Sequence, residues 1–420
     1  MNDVLHTIAN LRAVPPAPWR NQVRRVAVIL SSSRAGSSLI KHLLAEHPDI
    51  ASLDGEIEPY LALTQNGFGM HSDSDAVSTL LQPDVLADNI FAELNVPSPT
   101  LPTAEQLQVR WQRRLLLQFP LLFIDPAQQR KLGDALDEVL HALCRDSRQQ
   151  TDSALQHMIL ASVFRDQPWR MNFYDAQQSS TQRDLQLGAS GYYDEQLKLE
   201  EPPFVLPRSY RRQFTADDAA NKILLFKSPS DAYRIGIYEQ LFPQAEIQYI
   251  HLSRGYAQTV NGLMDGWLSP RGFFSHDMAR TCAALQIRGY SDATPFGRRW
   301  WKFDLPPNWR QFTQANLSDV CLNQWLASHE AILASRVPAL RLRFEDFMER
   351  PAVQFQRIVE LLGLSGLSLP SQLPVTMATE APKALRWRKR EQALLDMGQR
   401  QSVQAMMAQL GYSMNPDTWT

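Results

Sequence analysis

The chain has 420 residues, of which 44% are hydrophobic and 20% charged, with a formal net charge of −2. This is the composition of a soluble globular protein, long enough for a sizeable core, and its balanced charge removes any global reason to expect nucleic acid or a membrane surface as partner. The three cysteines, Cys144, Cys282 and Cys321, are far apart and odd in number, which suggests neither a disulfide framework nor a zinc site, and no apolar run reaches membrane-spanning length. Residues Met1 to Arg12 lack a basic region followed by an apolar one, so a cytoplasmic protein is expected.

Val4 to Leu11 reads as a short amphipathic helix, and Pro15, Pro16 and Pro18 as an extended lead-in. Next comes the organising stretch. Val26 to Leu30 is an apolar strand, Ser31 to Gly36 a small-residue loop, and Leu39, Ile40, Leu43 and Leu44 recur at helical spacing. A strand, tight loop and helix in this order aim backbone N–H groups and the positive end of the helix at one point, where an anion fits. Ser31, Ser32, Ser33, Ser37 and Ser38 add hydroxyls, and Arg34 a planar cationic fork. An ATP-binding loop would need Gly-Lys-Ser/Thr at its end, whereas here Ser37 follows Gly36 and the first lysine is Lys41. A plain serine-rich turn is the other reading of the loop alone.

His47-Pro48 ends the helix, and the loop that follows carries Asp54, Glu56 and Glu58. From about 64 to 221 helical periodicity dominates, as in Ala104 to Gln118 and Gln128 to Leu143, with Gly188 to Tyr193 and Glu200 to Pro203 reading as surface connections. The α/β pattern then resumes. Lys222 to Lys227 and Glu246 to Leu252 are strands, each leading into a helical pattern, the first from Ser230 to Leu241. A second interruption, about 268–316, is aromatic and basic. Leu317 to Ser335 is helical, Ala339 to Phe344 a strand, and a helix follows Pro351. Trp300, Trp301 and Trp309 read as core rather than as an acceptor wall, and the nine histidines, His329 among them, show no metal-ligand spacing.

Repeated strand-to-helix units imply a parallel sheet, whose ligands bind beyond the strands' carboxyl ends. Three polar groups fall there: the Ser31–Ser38 loop, Lys227-Ser228, and Ser253-Arg254. In order, Ser33-Arg-Ala-Gly-Ser-Ser-Leu39 with His47-Pro48, Lys227-Ser-Pro229, Phe242 to Arg254, Arg343 to Pro351 with Leu361-Leu-Gly-Leu364, and the basic segment around Trp387 resemble the sulfotransferases that use 3′-phosphoadenosine 5′-phosphosulfate (PAPS), particularly the bacterial type related to tyrosylprotein sulfotransferases.

The resemblance implies an α/β, P-loop-like three-layer fold with a central parallel sheet flanked by helices, forming one domain over 1–420 with mostly helical insertions at about 64–221 and 268–316. It implies transfer of a sulfuryl group to a hydroxyl or amine of a small-molecule or peptide acceptor, without a metal, leaving adenosine 3′,5′-bisphosphate. Arg34, Ala35, Gly36, Ser37 and Ser38 would bind the 5′-phosphosulfate and Arg254 the 3′-phosphate. The serine that assists that arginine would fall near Asn261 or Gly262; neither is serine, and the Asn261 amide is the substitute donor. Lys227 would stabilise the bridging oxygen, and Glu56, with Glu58 in reserve, would take the acceptor's proton. The basic segment Lys383 to Arg390 would close over the nucleotide or stand in solvent. The rival readings are a P-loop kinase and a sulfotransferase-like binding protein without activity.

Overall fold

A computed structural model describes residues 2–145, 151–174, 197–270, 272–281, 284–366, 369–380 and 382–419. Cys282 and the expected connection at 188–193 lie outside them. Among the described residues there are nine strands: β1 (Arg25–Ser31), β2 (Ile50–Ser52), β3 (Asn95–Pro97), β4 (Arg211–Gln213), β5 (Ile223–Lys227), β6 (Glu246–Ser253), β7 (His276–Asp277), β8 (Trp300–Trp301) and β9 (Ala339–Arg343). Seven make one sheet in the order β4-β3-β2-β5-β1-β6-β9, and β7 and β8 pair separately. Strands β2, β5, β1, β6 and β9 are parallel; β3 and β4 are antiparallel additions.

Of the runs expected to be strands, β1 and β5 are buried on both faces. In β1, Ala27 and Ile29 pack with Leu39, Ile40, Leu43 and Leu44 of helix Ser37–Leu44 and with Phe355 and Ile358 of helix Pro351–Leu361. Val26, Val28 and Leu30 face the opposite, larger cluster, which includes Val260 and Trp267 of helix Tyr256–Leu268 and Trp325 of helix Leu317–Ser335. Helices on both sides of a mostly parallel sheet give three layers of α/β type.

Three local expectations change. The stretch 64–221 is helical, with Ala104–Gln118 opened by a Thr103–Gln106 capping box, yet it also supplies β3 and β4. Ser230 to Leu241 is not one helix: a 3-10 turn, Pro229–Tyr233, precedes the short helix Ile237–Leu241, because Asp231 turns back to accept from the Ser228 amide at 3.0 Å and from Arg234 Nε at 3.0 Å. Glu200, expected on a surface connection, is buried, with Arg114 Nη2 donating to it at 2.5 Å. Trp300, Trp301 and Trp309 are fully buried, edge to face with their neighbours. His329 is also buried, its Nδ1 3.0 Å from Nε2 of His251. Among the described residues no helix is long and apolar enough to cross a membrane.

Candidate active site

Because β1 lies between β5 and β6, and all three run parallel, their carboxyl ends open on one side of the sheet. The register pairs Ile29 with Lys227 and Ser31 with Leu252, so the loop after Ser31 is flanked by Lys227 on one side and Arg254 on the other. Arg34 and Gly36 both have positive φ, 66° and 92°. Gly36 is required twice over: its backbone is left-handed, and a Cβ there would sit 2.3 Å from Cε2 of Phe344. Ala35 is fully buried, Ser31 Oγ donates to Ser37 Oγ at 2.9 Å, and Ser38 lines the adjoining cavity.

The hydroxyl of Ser32 and Nε of Arg254 are buried with no hydrogen-bond partner among the described residues. Buried donors of this kind are rare; one belongs to the loop itself and the other to the arginine that reaches the loop's Arg34 carbonyl. Arg254 is held firmly: its guanidinium stacks on Phe344 at 5.0 Å, Nη1 donates to the Arg34 carbonyl at 3.4 Å, and its own carbonyl accepts from Trp325 Nε1 at 3.0 Å. Burial above all holds its pKa below the usual arginine value, so a partner anion there is worth more than one in water. Arg34 lies against Phe273 at 5.5 Å and donates to the Met377 carbonyl at 2.6 Å. These residues can hold a phosphate-bearing group of the expected kind.

Asn261, expected to donate through its amide nitrogen, has its oxygen engaged by the basic segment. It is buried on helix Tyr256–Leu268 and its Oδ1 accepts from Nη1 of Arg390, which also pairs with Asp265 at 2.8 Å. Arg386 and Lys389 join the same Asp265 at 2.9 and 3.1 Å. The basic segment is therefore tied down on this helix by three cations around one carboxylate.

Lys227 donates through Nζ to Oε1 of Glu56. Glu58 is engaged elsewhere: its Oε1 accepts from Ser228 Oγ and, at 2.5 Å, from Arg234 Nη2. Arg234 also contacts Asp231, which accepts from Tyr238 at 2.7 Å. Burial foremost raises Asp231 to about 6, against the opposing pull of Arg234. The two glutamates, two residues apart, thus have different surroundings: Glu56 meets the lysine at the strand end, and Glu58 braces the turn that follows it.

Part of the anion loop, Lys227, Glu56 and Glu58 border one cavity of about 480 Å³. Its polar wall contains Ser33, Arg34, Ser38, Lys41, Glu56 and Lys227; its apolar wall contains Phe68, Phe204, Phe273 and Phe303, supplied by both long interruptions of the α/β pattern. Four carboxyls in it, Asp75, Glu200, Glu201 and Asp304, went unrecognised in the sequence, and two of them have strongly raised pKa values beside the loop or Glu56. Asp304 accepts from Ser33 Oγ and, at 2.7 Å, from Tyr233, and burial foremost raises it to about 6. Glu201 accepts from Ser275 Oγ and is raised to about 8 by burial and then by the charge of Glu56. Neither belongs to a motif, and only the folded chain brings them to the loop. Among the described residues no group of three or more His, Cys, Asp or Glu is arranged to hold a metal.

No family model matches the chain, and no curated protein matches it. Among solved structures it is similar to the sulfotransferase domain from the curacin biosynthetic pathway, at 14% identity over 93% of this chain and 99% of that one, with a TM-score of 0.35. It is also similar to sulfotransferase STF9 from Mycobacterium avium, at 14% identity over 97% of this chain and 80% of that one, TM-score 0.32. A third is sulfotransferase STF1 from Mycobacterium tuberculosis H37Rv, at 13% identity over 96% and 81%, TM-score 0.35.

Proposed function

We propose that this chain is a PAPS-dependent sulfotransferase, of the bacterial type related to tyrosylprotein sulfotransferases, acting on a hydroxyl or amine of a small-molecule or peptide acceptor. The observation that carries this reading is the contact of Lys227 with Glu56 beside the anion loop, where donor side and acceptor side meet over one cavity. A lysine at the end of β5 takes the place of the one missing from the loop itself.

In this reading the amides of Ala35 to Ser38, the hydroxyls of Ser32 and Ser38, and Arg34 hold the 5′ end of the nucleotide, and Arg254 its 3′-phosphate. The bound donor supplies an activated sulfuryl group with a phosphate as leaving group. Lys227 holds positive charge at the bridging oxygen, where negative charge grows as the bond breaks. Glu56 takes the acceptor's proton as the nucleophile closes on sulfur, and Glu58, held by Ser228 and Arg234, keeps Lys227's turn in place. The apolar walls exclude water from the transfer.

Incubation with PAPS and a broad panel of phenols, alcohols and amines, with adenosine 3′,5′-bisphosphate quantified, tests the reading. Acceptor-dependent release of the bisphosphate is expected. No calorimetric binding of the bisphosphate would sink it, and magnesium-dependent ATP binding in its place would favour the kinase. Bisphosphate binding without turnover across the panel would favour a binding protein.

A further inference from the structure

Lys41 enters the sequence only as the lysine that comes too late to serve an ATP-binding loop. In the fold it is three residues past Ser38 on helix Ser37–Leu44, and i and i+3 share a helix face, so it points into the cavity that Ser38, Glu56 and Lys227 also line. Its Nζ donates to the carbonyl of Gly55, the residue before Glu56. On its other side Gly55 is backed by Arg114, whose Nη2 would be only 2.2 Å from a Cβ at that position. The peptide that presents Glu56 thus lies between Lys41, which donates to it, and the Arg114 guanidinium, which a side chain at Gly55 would have to displace.

The charged groups around Lys41 are Lys227, Glu56, Arg208 and Asp54. Asp54 is already committed to Arg110 and Arg208. Lys41 itself makes no ion pair among the described residues. Burial first, and then the charge of Lys227, hold its amine down at about 7. Two amines therefore share one carboxylate, Lys227 by direct contact and Lys41 through the neighbouring peptide.

We propose that Lys41 is a positioning residue for Glu56: it fixes the Gly55–Glu56 peptide against the helix of the anion loop, and remains beside the carboxylate when Lys227 turns to the bridging oxygen. This rests on the reading of Glu56 as the base. It makes the donor loop and the base loop one mechanical unit, with a lysine as the tie.

Lys41→Met and Lys41→Arg test it. By calorimetry, adenosine 3′,5′-bisphosphate should bind Lys41→Met within about threefold of the parent chain; a loss beyond about tenfold would make Lys41 a donor ligand and overturn the proposal. Competitive acetylation of the Lys41 amine across about pH 6 to 10, read by mass spectrometry, should show its midpoint falling in Glu56→Gln and rising in Lys227→Met. A midpoint unmoved in both would also overturn it. In turnover of PAPS with 4-nitrophenol, Lys41→Met should lower kcat about 10- to 100-fold with KM for PAPS retained, and its acid limb should move to higher pH, since losing a nearby cation favours the protonated carboxyl. Lys41→Arg should recover part of the rate. A lower kcat with an unmoved limb and no rescue would leave Lys41 merely structural. If the parent chain binds no bisphosphate, the functional reading fails, while the acetylation midpoints still judge the coupling of Lys41 to Glu56.

Discussion

Under the proposed function the Lys227–Glu56 contact divides a donor side from an acceptor side, and the two are built in opposite ways. On the donor side every polar group hangs from the end of a parallel strand: the serine loop from β1, Lys227 from β5, Arg254 from β6, with Phe344 after β9 as the shared floor. The ladder fixes their spacing before any side chain is placed. On the acceptor side the walls come from loops and helices far apart in sequence, pinned by buried pairs such as Glu200–Arg114, Asp54–Arg110 and Asp75–His276. Geometry there depends on each partner being present. The donor side is set by backbone pairing and the acceptor side by long-range charge pairing, so mutations should damage them differently.

The largest expected effect is on chemistry alone. Lys227→Met should lower turnover on the order of 100- to 1,000-fold, measured by bisphosphate release, while bisphosphate affinity changes little. An equal loss in both would move Lys227 from the transition state to ground-state binding. Next is the acceptor side's dependence on pairs. Arg114→Met takes the cation from buried Glu200 and should cost roughly 3–5 kcal/mol in urea unfolding, with part restored by a second change, Glu200→Gln. Strictly additive losses would break the claim that the pair acts as a unit. Gly36→Ala should cost roughly 1–3 kcal/mol, from a left-handed backbone and the collision with Phe344, and should weaken bisphosphate binding as the loop shifts. Normal binding would show that the loop tolerates a wider turn.

The smallest effect is a pH slope. Glu201 is raised to about 8 from 4.5, so the folded chain holds this proton more tightly than the unfolded one. Its stabilisation is therefore complete below about 4.5 and is lost as pH rises through about 8. Glu200, raised to about 7, and Asp304, raised to about 6, act with the same sign. Glu201→Gln keeps a neutral hydrogen-bonding group, and should make the fall in melting temperature across this range shallower without abolishing it. An unchanged slope would mean that Glu201 is ionised throughout.

The same division explains what could be read in the sequence. Apolar runs and helical periods are local, so β1, β5, β6 and β9 and the helices Ala104–Gln118 and Leu317–Ser335 were legible. So was the grouping of Ser31 to Ser38, Lys227 and Arg254, because parallel strands carry it. Glu201, Asp304 and Lys41 were not, since their significance comes from Ser275, Ser33 and Gly55, residues as much as 271 positions away. Spacing in the chain holds no trace of such contacts. The Ser38–Lys41 interval on one helix face was the one available hint. The same holds for Asn261, whose oxygen accepts from a basic residue 129 positions later, a contact its own segment gives no sign of.

Strand β1 sits in the interior of the sheet, paired along its length on both edges and buried on both faces. Its amides should exchange with solvent only when the whole core opens, among the slowest in the chain, whereas the short strand β2 that leads to Glu56 is held by few ladder bonds and should open locally far more often. The loop is thus suspended from the part of the molecule least able to drift, while Glu56 follows a strand that opens more readily and relies on Lys41 and Lys227 to hold it against that loop. Such a chain can accumulate changes in its outer segments, and under the proposed function in what it accepts, while the anion loop stays as it was.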